Sequence, residues 1–300
     1  MADRTPPQPQ IQEDGAAPCV AITAPDGCSS PKTFEETRPS DDEILRFEKE
    51  AKAEELNKPV VSDITDFSAL SMEYANGAAI FKSKIHSLAT TCRGVRAIKK
   101  DGNCFYRAFG FRLAELLAEH DGSLWSDSVL ARVVASKDML VEQGYDLGAI
   151  QDFYDISLRL LMPSRDSKSL MHRFVHESYD ADTLVCYLRL VTAALLKRDR
   201  EIYEAFVADS YPTIDLFISH QVEPMQIEAD NIHIVAISNA LGVNVKVANL
   251  DTSETDGEVI NYHEFTHMDS IQGVKNEPEV HLLYRPGHYD ILYPNIHHVV

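Results

Sequence analysis

The chain has 300 residues, of which 44% are hydrophobic, and a formal net charge of −19. This length and apolar content are sufficient for one large domain with a substantial core, plus extensions. The acidic charge argues against nucleic acid or an anionic membrane surface as the main partner, because both would repel the chain. The charge suits a basic protein partner, although solubility alone would also account for it.

Residues 1–40 have the composition of a disordered tail. Half of the prolines of the chain lie there, and no apolar periodicity is present. No secretory signal is visible, and no apolar run is long enough to cross a bilayer. The cysteines are odd in number and form no Cys-x-x-Cys pair, which is typical of free thiols in a reducing compartment: Cys19, Cys28, Cys92, Cys104 and Cys186. We therefore expect the protein in the cytoplasm, with the nucleus as an alternative.

A short amphipathic helix is predicted for residues 41–57. Ser40 and Glu43 form a capping box at its start, and Pro59 lies just beyond its end. Its narrow apolar stripe lies among many charges and consists of Ile44, Phe47 and Ala51. Such a helix either packs on its own domain or binds another protein. The remaining residues, 58–300, are predicted to form one domain.

A tight turn that leads into a helix is predicted at Asp101-Gly102-Asn103-Cys104. Glycine accepts the positive φ of such a turn, and Asn103 is a favourable N-cap. Apolar residues at helical spacing continue to His120. Cys104 would then lie where free backbone N–H groups and the helix dipole favour an anion, so we predict a lowered thiol pKa and a reactive cysteine. The N–H groups of Cys104 and of the Asp101–Asn103 turn are also candidate donors to an oxyanion.

Helical periodicity dominates the chain up to Gly242, and strand character appears only after it. Helices are expected around 67–74, 80–88, 104–120, 129–143, 153–161, 184–195, 202–206 and 232–241. Strands are expected around 243–247, 259–265, 280–285 and 289–293. Helices followed by a small, mostly antiparallel sheet predict an α+β fold.

Two histidine motifs are expected to be structural. Residues 263–267 match the H-E-x-x-H zinc-protease motif, which requires a helix to place both histidines on one face. The β-branched and aromatic residues around it favour a strand, on which the two histidines would lie roughly 13 Å apart, too far to bind one zinc ion. We therefore expect no metal site there. His233, on a buried amphipathic helix, is expected to be a hydrogen-bonded core residue.

A β-hairpin whose turn contains Pro286-Gly287-His288 is predicted near the end of the chain. Residues two apart on a strand share a face, so His288 and Asp290 are expected to lie side by side. A carboxylate next to an imidazole fixes its tautomer, as in a nucleophile–base–orienter triad with Cys104. On residue types alone, however, a distant cysteine and histidine are more often a packed helix residue and a turn residue. Both interpretations stay open at this point.

Two long motifs resemble those of the otubains, deubiquitinating cysteine proteases of the ovarian-tumour (OTU) superfamily. Residues 101–111 resemble the otubain nucleophile segment, and residues 284–293 resemble the otubain histidine segment. Shorter matches follow in the same order at 187–190, 222–225, Asp230 and 232–234. The resemblance covers roughly residues 41–295, so it extends over most of the chain.

The resemblance implies a papain-like OTU cysteine protease fold, with residues 58–300 as the catalytic domain. It implies that Cys104 is the nucleophile, His288 the base and Asp290 the carboxylate that orients the base, with Asp101 as a further catalytic residue in the turn. The implied reaction is hydrolysis of the isopeptide bond between the C-terminal glycine of ubiquitin and a lysine. No metal or cofactor is required.

The resemblance also implies partners. In otubains a helix before the catalytic domain helps to bind ubiquitin, so Ile44, Phe47 and Ala51 are candidate ubiquitin contacts. Ubiquitin and polyubiquitin are the expected partners, with a preference for lysine-48-linked chains. The alternative is a largely non-catalytic protein that binds ubiquitin or a ubiquitin-conjugating enzyme and thereby inhibits ubiquitination.

Overall fold

The computed structural model describes residues 40, 46, 59–163, 167–175, 178–253, 260–270 and 277–295. The chain divides into two units, Met1–Glu50 and Ala51–Val300. In the first unit only Ser40 and Arg46 are described, and Arg46 has a helical conformation. The other residues of the predicted tail and of the predicted 41–57 helix lie outside the described residues, including the apolar stripe Ile44, Phe47 and Ala51.

All elements described here belong to the second unit. Its strands are β1 (Val61–Thr65), β2 (Cys92–Ile98), β3 (Asn244–Asn249), β4 (Asn261–Phe265), β5 (Glu279–Arg285) and β6 (His288–Pro294). Its helices are α1 (Ser68–Glu73), α2 (Ala79–Thr91), α3 (Cys104–Glu119), α4 (Leu124–Glu142), α5 (Leu147–Leu161), α6 (Ser167–Val175), α7 (Ser178–Arg198), α8 (Arg200–Val207), α9 (Ile214–Phe217) and α10 (Asn231–Leu241). A π-helical turn, Ile218–Val222, follows α9 directly.

The six strands form one mixed sheet in the order β1-β2-β6-β5-β3-β4. Strands β3 and β5 run parallel, and the other neighbouring strands pair antiparallel. The predicted α+β class with a mostly antiparallel sheet is confirmed. The parallel pair arises because the long connection after β4 returns the chain to the opposite edge of β3.

Helices cover both faces of the sheet. Strand residues alternate between the two faces, so neighbours in sequence enter different cores. Leu283 and Leu292 contribute to a small core with α1 and α2, whereas Leu282 and Ile291 contribute to the main core with α3. Helix α3 packs against β5 and β6 and is buried along most of its length. The start of this helix is therefore fixed next to the β5–β6 hairpin.

The expectation that strands occur only after Gly242 is wrong. Strands β1 and β2 precede α3 and complete the sheet on the far side of β6. Their patterns are weak for physical reasons. The edge strand β1 is mostly exposed, and β2 contains a glycine and a buried arginine, Arg96, that breaks the apolar alternation. Arg96 is accommodated because its Nε donates to Tyr293 Oη at 2.9 Å and its Nη2 lies 3.4 Å from Glu115.

No helix in the described ranges combines the length and the apolar character that a membrane span requires.

Candidate active site

Cys104 is the first residue of α3, as predicted, and it follows a tight turn. Gly102 has φ +74°, which confirms that the Asp-Gly turn uses the left-handed region. A Cβ on Gly102 would also lie only 2.2 Å from Gln226 O. Glycine is therefore required twice, once for its conformation and once because another backbone segment contacts it.

The side chain of Asn103 does not cap the helix, so this part of the prediction is wrong. Asn103 Oδ1 accepts hydrogen bonds from Arg189 Nη2 at 2.9 Å and from the amide of Gln226 at 2.8 Å. These two donors come from distant parts of the chain. A buried amide oxygen with two good donors gains more from them than from a single helix N–H group.

The β5–β6 hairpin brings His288 and Asp290 together, as predicted. Gly287, at φ +76°, makes the turn between the two strands. His288 Nε2 lies 2.8 Å from Asp290 Oδ1, and both residues are buried. Within the described part of the chain, His288 Nδ1 is buried and has no hydrogen-bond partner. This nitrogen is therefore free to contact a thiol or a substrate.

Asp290 is held by three elements. Besides contacting His288 on β6, its Oδ1 accepts a hydrogen bond from the amide of Ile98 on β2 at 2.9 Å. Its Oδ2 accepts a hydrogen bond from Arg285 Nη2 on β5 at 2.7 Å. Burial would raise the pKa of this carboxyl, but the hydrogen bond with His288, the charge of Arg285 and the Ile98 amide outweigh burial, and the pKa lies below its usual value. Asp290 is therefore a carboxylate that can stabilise an imidazolium.

Cys104 lies beside this hairpin. The backbone amides of Tyr289 and Phe105 lie close enough to its thiol to lower the thiol pKa. Tyr289 is the residue between His288 and Asp290, and its ring packs edge-on against Phe105, with 5.4 Å between the ring centroids. The structure thus brings together the three residues that the sequence nominated as nucleophile, base and orienting carboxylate. Their catalytic roles stay a prediction.

The prediction of a lowered thiol pKa at Cys104 is wrong for the free protein. Burial raises the pKa of Cys104 to about 11, and the charges of Asp101 and Asp290 add to this rise. The amides of Tyr289 and Phe105 oppose it but are outweighed. A thiolate in this site would lose its stabilisation by water, and the two nearby amide N–H groups stabilise it less than water would. The resting group is therefore a neutral thiol.

The carboxylate of Asp101 is committed to the turn itself. It accepts hydrogen bonds from Arg107 Nη1 and Nη2, each at 2.7 Å, and from the amide of Asn103 at 3.0 Å. The Asn103 N–H group is therefore occupied and is not an oxyanion donor, contrary to the expectation for this turn. Cys104 N–H, at the first position of α3, has no intrahelical acceptor by the geometry of a helix. It therefore stays a candidate oxyanion donor of this turn.

The H-E-x-x-H segment begins on a strand, and His233 is a hydrogen-bonded core residue, both as predicted. His263 lies on the strand β4 and is exposed, whereas His267 is buried beyond the end of that strand. His233 is buried, and its Nδ1 accepts the amide of Asp230 at 3.0 Å in a capping box. Among the residues that the structure describes, no group of three or more His, Cys, Asp or Glu side chains could hold a metal ion.

Three residues near the site were not singled out from the sequence. Arg285 holds Asp290, while Arg189 and Gln226 hold the turn before Cys104. A usable signal exists for Arg189, because it is a charged residue inside an otherwise apolar stretch of a helix. No sequence signal indicates that Gln226 adopts a positive φ of 66°.

A cysteine at the start of a buried helix, next to a histidine–aspartate pair on a neighbouring hairpin, defines the class of papain-like cysteine proteases. The profile of the family described as Peptidase C65 Otubain matches residues 53–294. The chain belongs to the otubain family.

Named relatives agree with this assignment. The chain is 37% identical over 241 residues to human "Ubiquitin thioesterase OTUB1", a match that covers 79% of this chain and 84% of the relative. It is 35% identical over 252 residues to Arabidopsis thaliana "OVARIAN TUMOR DOMAIN-containing deubiquitinating enzyme 1", with 79% and 81% covered. A solved complex of h/ceOTUB1 with ubiquitin aldehyde and UBC13~Ub matches with a TM-score of 0.72 and 27% identity, covering 85% of this chain and 98% of that chain.

Proposed function

We propose that this cysteine protease is a deubiquitinase that uses Cys104, His288 and Asp290 as its catalytic triad. The observation that carries the proposal is the orientation of His288. Its Nε2 lies 2.8 Å from Asp290, and its Nδ1 is buried without a partner among the described residues, next to the hairpin residue that contacts the Cys104 thiol. The relatives named as ubiquitin thioesterases and deubiquitinating enzymes support ubiquitin as the substrate.

The chemistry begins with a neutral thiol. His288 Nδ1 takes the Cys104 proton as the sulfur attacks the carbonyl carbon of the C-terminal glycine of ubiquitin. Asp290 stabilises the imidazolium that forms. The Cys104 N–H group donates to the tetrahedral oxyanion, and a donor of this kind contributes roughly 3 kcal/mol in other proteases. His288 then gives its proton to the departing lysine amine, and the product is a thioester between Cys104 and ubiquitin.

Water completes the reaction. His288, neutral again, removes a proton from the water that attacks the thioester carbonyl. The second tetrahedral intermediate collapses, and His288 returns its proton to the sulfur of Cys104. Ubiquitin leaves as a carboxylic acid that ionises, and its proton passes to the solvent, from which the released lysine amine takes up one. The cysteine, the histidine and water account for these steps, so the mechanism needs no metal or cofactor.

Ubiquitin capture at Cys104 tests this function. Ubiquitin that carries an electrophile in place of its C-terminal carboxylate should form a covalent adduct with the wild-type chain, because ubiquitin binding places the electrophile at the thiol. Cys104→Ser should form none, while Cys186→Ser, which changes another free cysteine, should react like the wild type. Labelling that persists in Cys104→Ser, measured by intact mass, would overturn the assignment of the nucleophile.

A second candidate function is inhibition of ubiquitination by binding. Solved relatives contain OTUB1 together with ubiquitin aldehyde and either UBC13~Ub or UBCH5B~Ub. This chain carries a formal net charge of −19, which favours basic partners by long-range attraction. We therefore infer ubiquitin, polyubiquitin and ubiquitin-conjugating enzymes as partners. The binding role separates from catalysis because it would survive in Cys104→Ala.

Linkage choice is proposed to depend on the helix predicted over residues 41–57. A stripe as narrow as Ile44, Phe47 and Ala51 buries little apolar area, so it contributes only about a few kcal/mol wherever it docks. Docked on the ubiquitin that donates the linked lysine, it would present one lysine to Cys104 and exclude the others. The family resemblance favours lysine-48-linked chains.

Removing residues 1–57 should lower the rate of cleavage of lysine-48-linked di-ubiquitin by about tenfold or more, equivalent to ~1.4 kcal/mol of lost binding. Labelling by a single ubiquitin electrophile should be unchanged. The double substitution Ile44→Ser and Phe47→Ser should lower the cleavage rate in the same way, because it keeps the chain length and removes the two large side chains of the stripe. If cleavage and labelling fall together with the melting temperature, the helix stabilises the domain and does not bind ubiquitin.

The proposed location is the cytoplasm, with the nucleus as an alternative. Cys92, Cys104 and Cys186 are all free thiols, which suits a reducing compartment. A thiol-dependent protease also requires its nucleophile in the reduced state.

A further inference from the structure

Arg189 connects the turn before Cys104 to a distant segment of the chain. It lies on α7 and is fully buried. Its Nη2 shares its two hydrogens among Gly102 O at 3.1 Å, Asn103 Oδ1 at 2.9 Å and Ile227 O at 2.6 Å, and its Nη1 donates to Val222 O at 3.2 Å. One guanidinium therefore contacts two residues of the catalytic turn and both ends of the 222–227 segment.

The 222–227 segment also contacts the turn directly. The amide of Gln226 donates to Asn103 Oδ1 at 2.8 Å, and Gln226 O occupies the space where a Cβ on Gly102 would lie. Gln226 adopts φ +66°, a conformation that residues other than glycine rarely adopt. Such strain persists where the surrounding contacts determine the backbone. Arg189 supplies two of these contacts, at Val222 O and Ile227 O.

We propose that Arg189 is the positioning residue of the oxyanion site. The peptide group between Gly102 and Asn103 is held at both ends. Its carbonyl accepts a hydrogen bond from Arg189, and its N–H group donates one to Asp101. The next peptide group carries the Cys104 N–H, so its orientation follows from that of its neighbour. Arg189 is fully buried, and its hydrogen bonds go to the turn and the 222–227 segment, so it acts through the turn. This inference rests on the proposed mechanism at Cys104.

Lysine cannot replace arginine in this position. The arginine side chain presents five N–H donors in a planar fork, whereas the lysine ammonium presents three donors at one point. The four acceptors of Arg189 lie on two chain segments, on the turn and on the 222–227 segment. The guanidinium also lies over the ring of Tyr106, with 4.7 Å between Cζ and the ring centroid, which fixes its plane. A single arginine nitrogen, Nη2, contacts both segments, and the lysine side chain is one bond too short to place its ammonium there. Arg189→Lys therefore keeps the charge and removes the bridge.

The test compares two reactions of Cys104 in Arg189→Lys. Cys104 forms a tetrahedral oxyanion when its sulfur attacks the carbonyl of ubiquitin aldehyde. It also forms one when it hydrolyses a C-terminal ubiquitin amide. Alkylation by ubiquitin with a C-terminal alkyl bromide displaces bromide and forms no oxyanion. We expect kcat for hydrolysis to fall about 100-fold and aldehyde affinity to fall similarly, the usual cost of losing or misplacing an oxyanion donor. KM and the alkylation rate should change by less than about threefold, since neither depends on that donor.

Arg112→Lys is the matched control. Arg112 is also a buried arginine, but its partners are Glu115 and Glu119 on the outer part of α3. Arg112→Lys should hydrolyse the ubiquitin amide and react with the alkyl bromide at wild-type rates. Equal losses of hydrolysis and alkylation in Arg189→Lys, or no loss of either, would overturn the proposal.

A second variant keeps the test decisive if Arg189→Lys does not fold. Asn103→Ala removes one acceptor of Arg189 and should give the same split, with hydrolysis reduced and alkylation retained. An unchanged hydrolysis rate in that folded variant would also overturn the proposal. If the wild-type chain neither hydrolyses the amide nor reacts with the bromide, the proposed function fails, which is a different result.

Discussion

Replacing Cys104 with alanine should abolish hydrolysis of ubiquitin conjugates, with kcat lowered by about 10⁴-fold or more, to the detection limit. The reason is that no other side chain at the hairpin can form the thioester. His288→Ala should be nearly as severe, because a neutral thiol whose pKa is raised to about 11 cannot attack without a base to take its proton. Cleavage of di-ubiquitin over time measures both losses.

Ubiquitin binding distinguishes a loss of chemistry from a loss of structure. Both variants should bind ubiquitin with an affinity close to that of the wild type, measured by calorimetry, since neither replacement enlarges a side chain in the core. Cys92→Ala changes another buried free cysteine and should retain activity. Full hydrolysis by Cys104→Ala would refute the cysteine-protease mechanism, and full hydrolysis by His288→Ala would refute the base.

The variant Gly102→Ala should lose both stability and activity. Alanine at φ +74° costs about 1–2 kcal/mol. The new Cβ would also lie 2.2 Å from Gln226 O, and overpacking against backbone typically costs a further 1–3 kcal/mol. The turn has to move away from Gln226, and a displacement of roughly 1 Å at a reacting group can lower kcat about 100-fold.

Gly122→Ala is the matched control for this prediction. Gly122 follows the same helix α3, has φ +76°, and has open space where a Cβ would be placed. This variant pays the conformational cost alone, so it should lower the free energy of unfolding by about 1–2 kcal/mol and leave kcat unchanged. Chemical denaturation and amide hydrolysis measure the two quantities. Equal stability and equal activity in the two variants would show that Gln226 does not restrain the turn.

The sequence was sufficient for the features that are set locally. The start of α3 at Cys104 follows from an Asp-Gly turn and helical periodicity, and the side-by-side placement of His288 and Asp290 follows from the two-residue repeat of a strand. The β-branched and aromatic residues around the H-E-x-x-H segment predict a strand, and its first three residues lie on one. In each case the residues that determine the conformation are neighbours in sequence.

The features that could not be predicted depend on distant partners. Asn103 has the residue type of an N-cap, but Arg189 and Gln226 reach its side chain only through the tertiary fold. The Cys104 thiol has the position of an activated nucleophile, but burial raises its pKa. Strand β2 lacks apolar alternation because Arg96 is buried against Tyr293. Local pattern cannot reveal a long-range contact that changes the role of a residue.

The separation of the site into a hairpin and a helix has a consequence for refolding. His288 and Asp290 meet as soon as β5 and β6 pair, a local event that takes about 1–10 μs in simple hairpins. Cys104 joins them only when α3 packs on that hairpin, which closes a loop containing most of the domain and is a slow, entropically costly step. Covalent capture by a ubiquitin electrophile during refolding should therefore count only molecules in which the whole domain has assembled.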